Sequence, residues 1–390
     1  MTKLRILYTF FVLIWGCKEY QNEQTDKKGL PNFIIIYTDD QRYDAIGVNG
    51  NKIIMTPNLD RMAKKALRFS DAHVAFSLCS PSRAALLTGR YGSANGVLGL
   101  GSALKNGEKT LADYLRKAGY VTALSGKWHI KQAPEKLGFD FYSYFRGNGT
   151  YYGRRVINMK DTVHPEMHVD KYGVLKSIEF LELQEDSDKP FFLFHCPQTP
   201  HMNGELMWDA KDSTKQLYNV SNMPVPRNRL DDLESKAPYL KNVRNLTQAT
   251  KYGYPDSLAI QSHVRDYYAV ITELDHFLGI LFDKVEELGL LESTYIIFMS
   301  DNGWMLGDHG FTSKVLPYQP SSQVPFWILG PNVGSGINHS MVSNLDVFST
   351  IMELANLEVP ENIHGKPLDR ILNGEEEMVR DYFIYEGLGV

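Results

Sequence analysis

The sequence contains few cysteines and has no excess of basic residues over acidic ones. Its 390 residues include three cysteines, which is too few for a disulfide framework. Lys and Arg number 41 against 46 Asp and Glu, giving a formal net charge of −5. Without a strong basic field, nucleic acid is not an expected partner. Internal repeats and long low-complexity tracts are also lacking, which argues against a solenoid or a largely disordered chain.

The N-terminal apolar run, residues 6–15, is too short to cross a bilayer. It follows two basic residues and suits the apolar region of a secretory signal. Because Gly-Cys comes next, residues 1–16 resemble a lipoprotein-type signal peptide, with Cys17 lipidated and polar residues 17–30 as a tether. Ordinary secretion with cleavage nearby is the alternative. The first interpretation predicts an exported bacterial lipoprotein of the periplasm or outer membrane, which contacts the membrane only through its N-terminal lipid anchor.

The rest of the chain alternates apolar runs with amphipathic patterns. Apolar residues make up 43% of the sequence, which is ample for a large core. Apolar and aromatic runs predict strands at residues 32–38, 120–125, 191–195, 294–299, 325–329 and 382–385. Helical patterns and capping signals predict helices at residues 56–65, 79–89, 110–118, 173–183, 262–288 and 344–355. This alternation predicts an α/β fold with a large, mainly parallel central sheet flanked by helices.

Acidic and amide side chains follow two of these predicted strands. Asp39 and Asp40 come directly after residues 32–38, and the second pair, Asp301 and Asn302, closely follows another strand. Adjacent carboxylates repel each other and are stabilised by a cation. The carboxyl ends of the strands are also where open α/β sheets bind ligands. A cation site at this edge is one interpretation, and ordinary turn or capping acids are the other.

Residues 79–90 read Cys-Ser-Pro-Ser-Arg-Ala-Ala-Leu-Leu-Thr-Gly-Arg. Proline fits the first turn of a helix, either serine can cap it, and Gly89 is a plausible stop. Cys79 would then lie at the positive end of the helix dipole, with Arg83 one turn along. This arrangement favours an anion and predicts a lowered pKa for the thiol. A buried cysteine in a core helix is the plainer alternative.

The segment resembles the signature of the type I sulfatases, which are formylglycine-dependent members of the alkaline-phosphatase-like superfamily. In that family the first cysteine of Cys-x-Pro-Ser-Arg is oxidised to formylglycine, and Leu-Thr-Gly-Arg belongs to the modification signal. The resemblance implies that a formylglycine-generating or maturase enzyme converts Cys79. It also implies an alkaline-phosphatase-like sandwich, with residues 31–390 as the sulfatase catalytic domain. Because the sequence stops at Val390, the usual small C-terminal subdomain is expected to be absent or truncated.

The resemblance also assigns the site residues. It implies one Ca²⁺ ion as cofactor, an ion that accepts all-oxygen ligation. The implied metal ligands are Asp39, Asp40, Cys79, Asp301 and Asn302. The implied catalytic residues are Cys79, Arg83, Lys127, His129, His201 and Lys314. In the family, lysines corresponding to Lys127 and Lys314 bind the sulfate, and the histidine corresponding to His201 lies near the leaving-group oxygen.

Other segments are given less specific roles. Residues 138–155 are rich in glycine, aromatics and arginine and are predicted to form a long loop that contacts sugars, with a minor core as the equal alternative. Residues 204–255 are predicted to form an insertion or lid. His195 and Cys196 are expected to be buried structural residues. Gln319 and Gln323 stand where the family commonly has Glu and Arg.

The resulting hypothesis is a sulfuric ester hydrolase that removes sulfate from a sulfated saccharide. Three alternatives stay open. A phosphomonoesterase or phosphodiesterase of the same superfamily would share the metal ligands, and a non-catalytic, glycan-binding pseudosulfatase would share the fold. A structural surface lipoprotein would explain the N-terminus alone.

Overall fold

The computed structural model describes residues 29–387 of the chain. The signal peptide predicted for residues 1–16, the lipidation of Cys17 and almost all of the tether at residues 17–30 lie outside that range. Among the described residues, no helix is both long enough and apolar enough to span a membrane.

Twelve strands of the described residues form two sheets. In chain order, β1–β12 are Asn32–Thr38, Leu67–His73, Val121–Lys127, Phe141–Phe145, Val156–Asn158, Thr162–Val163, Phe191–Cys196, Thr294–Ser300, Met305–Leu306, Thr312–Ser313, Phe326–Leu329 and Gly336–Ser343. Ten of them form one sheet in the order β12-β2-β11-β8-β1-β7-β3-β4-β5-β6, and β9 pairs with β10. The central strands β8, β1, β7, β3 and β4 are mutually parallel. Antiparallel pairs lie toward the margins, as where β11 meets β8 and β2.

Eleven α-helices accompany these strands. In chain order, α1–α11 are Pro57–Lys65, Cys79–Thr88, Gly92–Asn95, Leu111–Lys117, Val169–Glu182, Asp212–Lys215, Arg244–Lys251, Ser257–Glu287, Gln319–Ser322, Asp346–Leu354 and Asp369–Leu372. Helices α2, α4 and α10 cover one face of the large sheet, whereas α1, α5 and α8 cover the other. The predicted α/β architecture, a mainly parallel central sheet between helices, is confirmed.

Strand β1 shows why its sequence is apolar throughout. Phe33, Ile35 and Tyr37 point into the core beneath α2, α4 and α10. Ile34 and Ile36 point into the opposite core, against α1, α5 and α8. Because both faces of the strand are covered, alternation with polar residues would bury unpaired polar groups.

The strand register brings several functional positions to one edge. Thr38 of β1 lies beside Ser300 of β8, so the residues that follow each strand are neighbours. On the other side of β1, strand β7 pairs with β3, placing Cys196 beside Gly126. The carboxyl ends of β8, β1, β7 and β3 therefore meet at one edge of the sheet.

Two predicted segments differ from the structure. Residues 138–155 are not one loop, because Phe141–Phe145 forms β4 and pairs in parallel with β3. The glycines that flank these aromatic residues are typical of a loop, which is why the sequence predicted one. The strand predicted at residues 382–385 does not form. Instead, Phe383 packs against a small buried cluster of Ala75, Ala85 and Leu345, and Tyr385 bonds to loops near Cys79.

The segment of residues 204–255 packs onto α8. It contains α6, α7 and two short 3₁₀ turns. Although the segment is polar overall, it buries Trp208, Tyr218, Met223 and Tyr254 in a cluster that it shares with α8. These aromatic anchors fix the segment to the body of the fold, and its role as a lid stays a prediction.

Candidate active site

Residues at the ends of three central strands supply half of the predicted site. Asp39 and Asp40 follow β1, Asp301 and Asn302 follow β8, and Lys127 is the last residue of β3. All five are almost completely buried. Asp40 has a φ of 67°, a left-handed conformation that is sparsely populated for non-glycine residues and recurs at functional sites.

Helix α2 begins with Cys79, as the sequence predicted, and every residue of the helix is buried. The expected serine caps do not form. Ser80 Oγ instead donates to the carbonyl of His129 at 2.7 Å, and Ser82 Oγ pairs with the hydroxyl of Tyr37 at 2.8 Å. The two serines therefore tie the helix start to neighbouring elements rather than to its own free N–H groups.

Arg83 connects three elements from one turn into α2. Its Nε donates to Asp301 Oδ2 at 3.0 Å, and Nη2 donates to Asp39 Oδ2 at 3.3 Å. Nη1 donates to the carbonyl of Lys127 at 3.0 Å. Because this guanidinium is fully buried, it holds the ends of β1, β3 and β8 together around the cysteine.

Two lysines contact the paired carboxylates. The ammonium group of Lys127 contacts Asp39, and that of Lys314 contacts Asp40. Lys314 Nζ also lies 2.7 Å from Sγ of Cys79. Residue 79 thus lies beside the Lys314 ammonium group, and the Asp39 carboxylate is also within contact distance.

The carboxyl groups differ in acidity although all are buried. Burial acts to raise the pKa of Asp39, but the neighbouring Lys127, His201, Arg83 and Lys314 together outweigh it and hold that pKa well below its usual range. For Asp40 and Asp301, burial raises the pKa to about 6 in each case. Burial, with the Asp39 charge, also raises the pKa of the Cys79 thiol to about 12. The lowered thiol pKa expected from the helix start is therefore wrong, because burial and the Asp39 charge outweigh the lowering effect of Lys127 and Lys314.

Both predicted catalytic histidines border the cluster. His129, with a φ of 51°, follows Lys127 closely, and its buried Nδ1 has no hydrogen-bond partner among the described residues. Nδ1 of His201 is 2.8 Å from the carbonyl of Met202 and must donate to it, which leaves Nε2 3.5 Å from Asp40 Oδ2. Burial lowers the pKa of His129 to about 2 and that of His201 to about 3, so both rings are neutral near pH 7.

Asn148 joins this group, although no sequence motif pointed to it. Its Oδ1 accepts from Lys127 Nζ at 2.5 Å, and its Nδ2 is 2.8 Å from Nε2 of His201. Because His201 carries its proton on Nδ1, Nε2 accepts from the amide. The residue lies in a glycine-rich stretch where Asn-Gly indicates only a turn, so its role depends on where the loop lies.

The donor set fits a hard divalent cation. Ligand atoms of Asp39, Asp40, Cys79 and His201 lie within 4.8 Å of one another. Asp40 Oδ2 and Asn302 Oδ1 are buried without hydrogen-bond partners among the described residues. A cation that accepts carboxylate and amide oxygens would satisfy both atoms. Asp301, predicted as a ligand, directs Oδ2 to Arg83 and accepts the amide N–H of Asp40 on Oδ1 at 3.2 Å.

Residues expected to be structural lie apart from this chemistry or support it. Cys196 is buried in β7, and Nδ1 of the buried His195 is 2.9 Å from Ser177 Oγ. Gln323 donates to the carbonyl of Ser70 at 2.9 Å, so it braces β2 rather than the reaction centre.

Comparisons with known proteins agree with this arrangement. The family model described as Sulfatase matches residues 31–357. An N-acetylglucosamine-6-O-sulfatase of Bacteroides thetaiotaomicron is 28% identical, over 94% of this chain and 75% of that protein. An arylsulfatase of Clostridium perfringens is also 28% identical, over 90% of this chain and 80% of the relative.

Solved structures show the same fold. BT4656, in complex with its substrate D-glucosamine-2-N,6-O-disulfate, matches with a TM-score of 0.80 and 27% identity, over 91% of this chain and 82% of the other. A phosphonate monoester hydrolase of Agrobacterium radiobacter matches with a TM-score of 0.73 and 22% identity, over 89% and 78% of the two chains. At that identity the likeness concerns the fold alone. The family match covers most of the chain, including the cysteine signature and both strand-end pairs of acidic and amide residues, and the chain therefore belongs to the sulfatase family.

Proposed function

We propose that this sulfatase removes sulfate from a sulfated carbohydrate, using residue 79 as formylglycine together with one calcium ion. The observation that carries the proposal is the placement of Cys79 between the carboxylate pair and the ammonium group of Lys314. An anionic sulfate ester requires such a cationic environment, and a metal requires the carboxylates behind it. The names of the relatives, which include an N-acetylglucosamine-6-O-sulfatase, support a carbohydrate substrate.

Calcium would be held by oxygen atoms of four side chains and by residue 79. The four are Asp39, Asp40, Asp301 and Asn302. When bound, the ion would polarise a sulfate oxygen and lower the pKa of a hydroxyl on the hydrated aldehyde of residue 79. That hydroxyl is the group that attacks sulfur.

The remaining chemistry falls to side chains of the chain itself. Lys127, Lys314 and Arg83 neutralise the negative charge that grows on the sulfate oxygens, a contribution worth on the order of 10²–10³ in rate for one such group. His201 would protonate the oxygen of the departing alcohol from Nε2, which must first take up a proton because the neutral ring carries its hydrogen on Nδ1. His129 takes a proton from the second hydroxyl of residue 79, which expels sulfate and restores the aldehyde.

Replacing the cysteine tests the nucleophile. Cys79→Ala and Cys79→Ser are both expected to abolish turnover of 4-nitrophenyl sulfate while leaving the melting temperature almost unchanged. Mass spectrometry of the peptide containing residue 79 should show the aldehyde in the active wild-type protein. An alanine variant that retains near-normal turnover would contradict the proposal, and faster hydrolysis of 4-nitrophenyl phosphate than of the sulfate would favour the phosphoesterase alternative.

Removing the metal tests the cation. A calcium-selective chelator is expected to lower kcat by at least about 10²-fold, since the ion stabilises charge that develops in the transition state. It should also lower the melting temperature, because the adjacent carboxylates then repel each other. Added Ca²⁺ should restore both quantities, with Mg²⁺ as the matched control. Full activity in the metal-free protein would refute the calcium assignment.

A further inference from the structure

A basic cavity lies next to the loop that carries Asn148. It has a volume of about 390 Å³, and its lining includes Arg146, Arg154, Arg155 and His164. The described residues that line it include no carboxylate. Three guanidinium groups around one cavity form a site for an anion, because planar guanidinium forks bond carboxylate and sulfate oxygens in pairs.

Arg154 is the buried member of this group, with 8% of its surface exposed. Its Nη2 donates to the carbonyls of Arg146 and Gly147 at 2.8 and 2.9 Å, and its guanidinium lies 4.7 Å from the ring centroid of Phe145. Burial lowers its pKa to about 10, against a smaller opposing effect of Asp170. Its hydrogen-bond partners are thus neutral carbonyls, and a buried cation without an ion pair is costly unless an anion compensates it.

One loop links the cavity to the active site. Asn148, which contacts Lys127 and His201, directly precedes Gly149, which lines the cavity. A Cβ placed on Gly149 would lie 1.7 Å from Nη1 of Arg154, so the guanidinium rests against the main chain there. Consecutive Cα atoms are about 3.8 Å apart. Side-chain contacts run from Cys79 through Asp39 and Lys127 to Asn148, so a saccharide with its scissile sulfate at residue 79 can extend toward the loop that lines the cavity.

We propose that this cavity binds a second anionic group of the substrate, so that the enzyme prefers saccharides that carry another sulfate or a carboxylate near the scissile ester. The inference rests on the proposed function. Arg154 is the buried arginine of the cavity lining. Its hydrogen bonds to main-chain carbonyls also hold the loop that carries Asn148. The exposed Arg155 supplies a cation at the rim whose removal leaves the loop's own hydrogen bonds intact.

The test compares three probes that share a 6-O-sulfated glucosamine. One is the monosulfate, the second adds a 2-N-sulfate, and the third is a disaccharide that adds a uronate carboxylate. Sulfate release gives kcat/KM for the wild type, for Arg155→Gln and for the control Arg116→Gln. Arg116 is an exposed arginine on α4 whose ion pairs are long, at 3.7 and 3.8 Å, and are therefore worth little.

The wild type and Arg116→Gln should prefer at least one doubly anionic probe by about tenfold, as expected for one charge-assisted hydrogen bond. Arg155→Gln should lose most of that preference. Preference for the disulfate would identify a sulfate as the second group, and preference for the uronate a carboxylate. Equal use of all probes, an unchanged preference in Arg155→Gln, or turnover of 4-nitrophenyl sulfate without turnover of any probe would overturn the inference while leaving the proposed function standing. Failure to hydrolyse every sulfate ester would instead refute the proposed function.

Discussion

At the residue scale, the charges around Cys79 are balanced only as a group. Three buried cations face three buried carboxylates: Arg83, Lys127, Lys314, Asp39, Asp40 and Asp301. Several of them share partners, since Asp39 contacts both Arg83 and Lys127. Loss of one member leaves an uncompensated buried charge on another, so substitutions in this cluster are expected to be strongly non-additive.

His195 gives the fold a measurable pH dependence. Burial lowers the pKa of this fully buried histidine from 6.5 to about 4. Between these pH values His195 binds a proton in the unfolded chain but not in the folded chain. The stability of the fold therefore falls as the pH drops from 6.5 toward 4. Through this residue, the free energy of unfolding should be lower by about 2 kcal/mol at pH 5 than at pH 7.

Denaturant titrations at the two pH values check this effect. His195→Gln should reduce the difference by that amount, because glutamine cannot be protonated. His276→Gln, at an exposed position on α8, should keep the wild-type difference. Identical pH dependence in all three proteins would show that other groups account for the loss.

Site residues within short motifs could be predicted from the sequence. Cys79, Lys127 and His129 each lie in a local pattern, and the structure brings them to one edge of the sheet. Asn148 could not be predicted, because its contacts with Lys127 and His201 arise from the path of a loop. The pKa of the Cys79 thiol could not be predicted either, because it depends on burial among side chains that are distant in the chain.

At the element scale, strand β3 places Lys127 directly after a glycine whose conformation other residues rarely adopt. Gly126 has a φ of 103°, and a Cβ at this position would lie 2.0 Å from the carbonyl oxygen of Cys196. Gly126→Ala should therefore lower the free energy of unfolding by at least about 2 kcal/mol, combining left-handed strain with a clash between β3 and β7. It should also lower kcat, because the shift displaces the adjacent ammonium group.

Gly119→Ala is the matched control. Gly119 has a similar φ of 97°, but no atom lies within 4 Å of the place where its Cβ would stand. It should show the strain alone, about 1–2 kcal/mol, with kcat unchanged. Equal effects of the two substitutions on stability and kcat would mean that the close approach to β7 is unimportant.

Elements with long, regular patterns could be predicted, and elements that depend on context could not. The apolar runs of β1, β7 and β8 indicate strands buried on both faces. Strand β4 was hidden by flanking glycines and forms because β3 offers it a free edge. Residues 382–385 alternate as a strand should, with Tyr382 76% exposed and Phe383 packed inward, but they bond to loops instead of a sheet.

At the scale of the whole molecule, the C-terminal segment braces the site from outside the sheet. The hydroxyl of Tyr385 pairs with Ser77 Oγ and donates to the carbonyl of Val315 at 2.5 Å. Ser77 precedes Cys79 by two residues, and Val315 follows Lys314. One hydroxyl thus links the segment that precedes Cys79 with the loop that carries Lys314, the lysine proposed to bind sulfate.

Tyr385→Phe should lower the free energy of unfolding by about 1–3 kcal/mol, since it leaves buried partners unsatisfied. It should also lower kcat more than it raises KM, because Lys314 would be held less firmly. Thermal unfolding and steady-state kinetics measure the two effects. Tyr382→Phe, at a side chain 76% exposed, is the control, and indistinguishable behaviour of the two variants would argue against a bracing role.

The burial of α2 has a consequence for biosynthesis. All ten residues of this helix are inaccessible, and only 1% of the Cys79 surface is exposed. The oxidising enzyme proposed to convert this residue must therefore engage the nascent or still extended polypeptide. Oxidation of residue 79 and folding of the chain would then be competing processes. The specific activity of a preparation would depend on the fraction of chains oxidised before they fold.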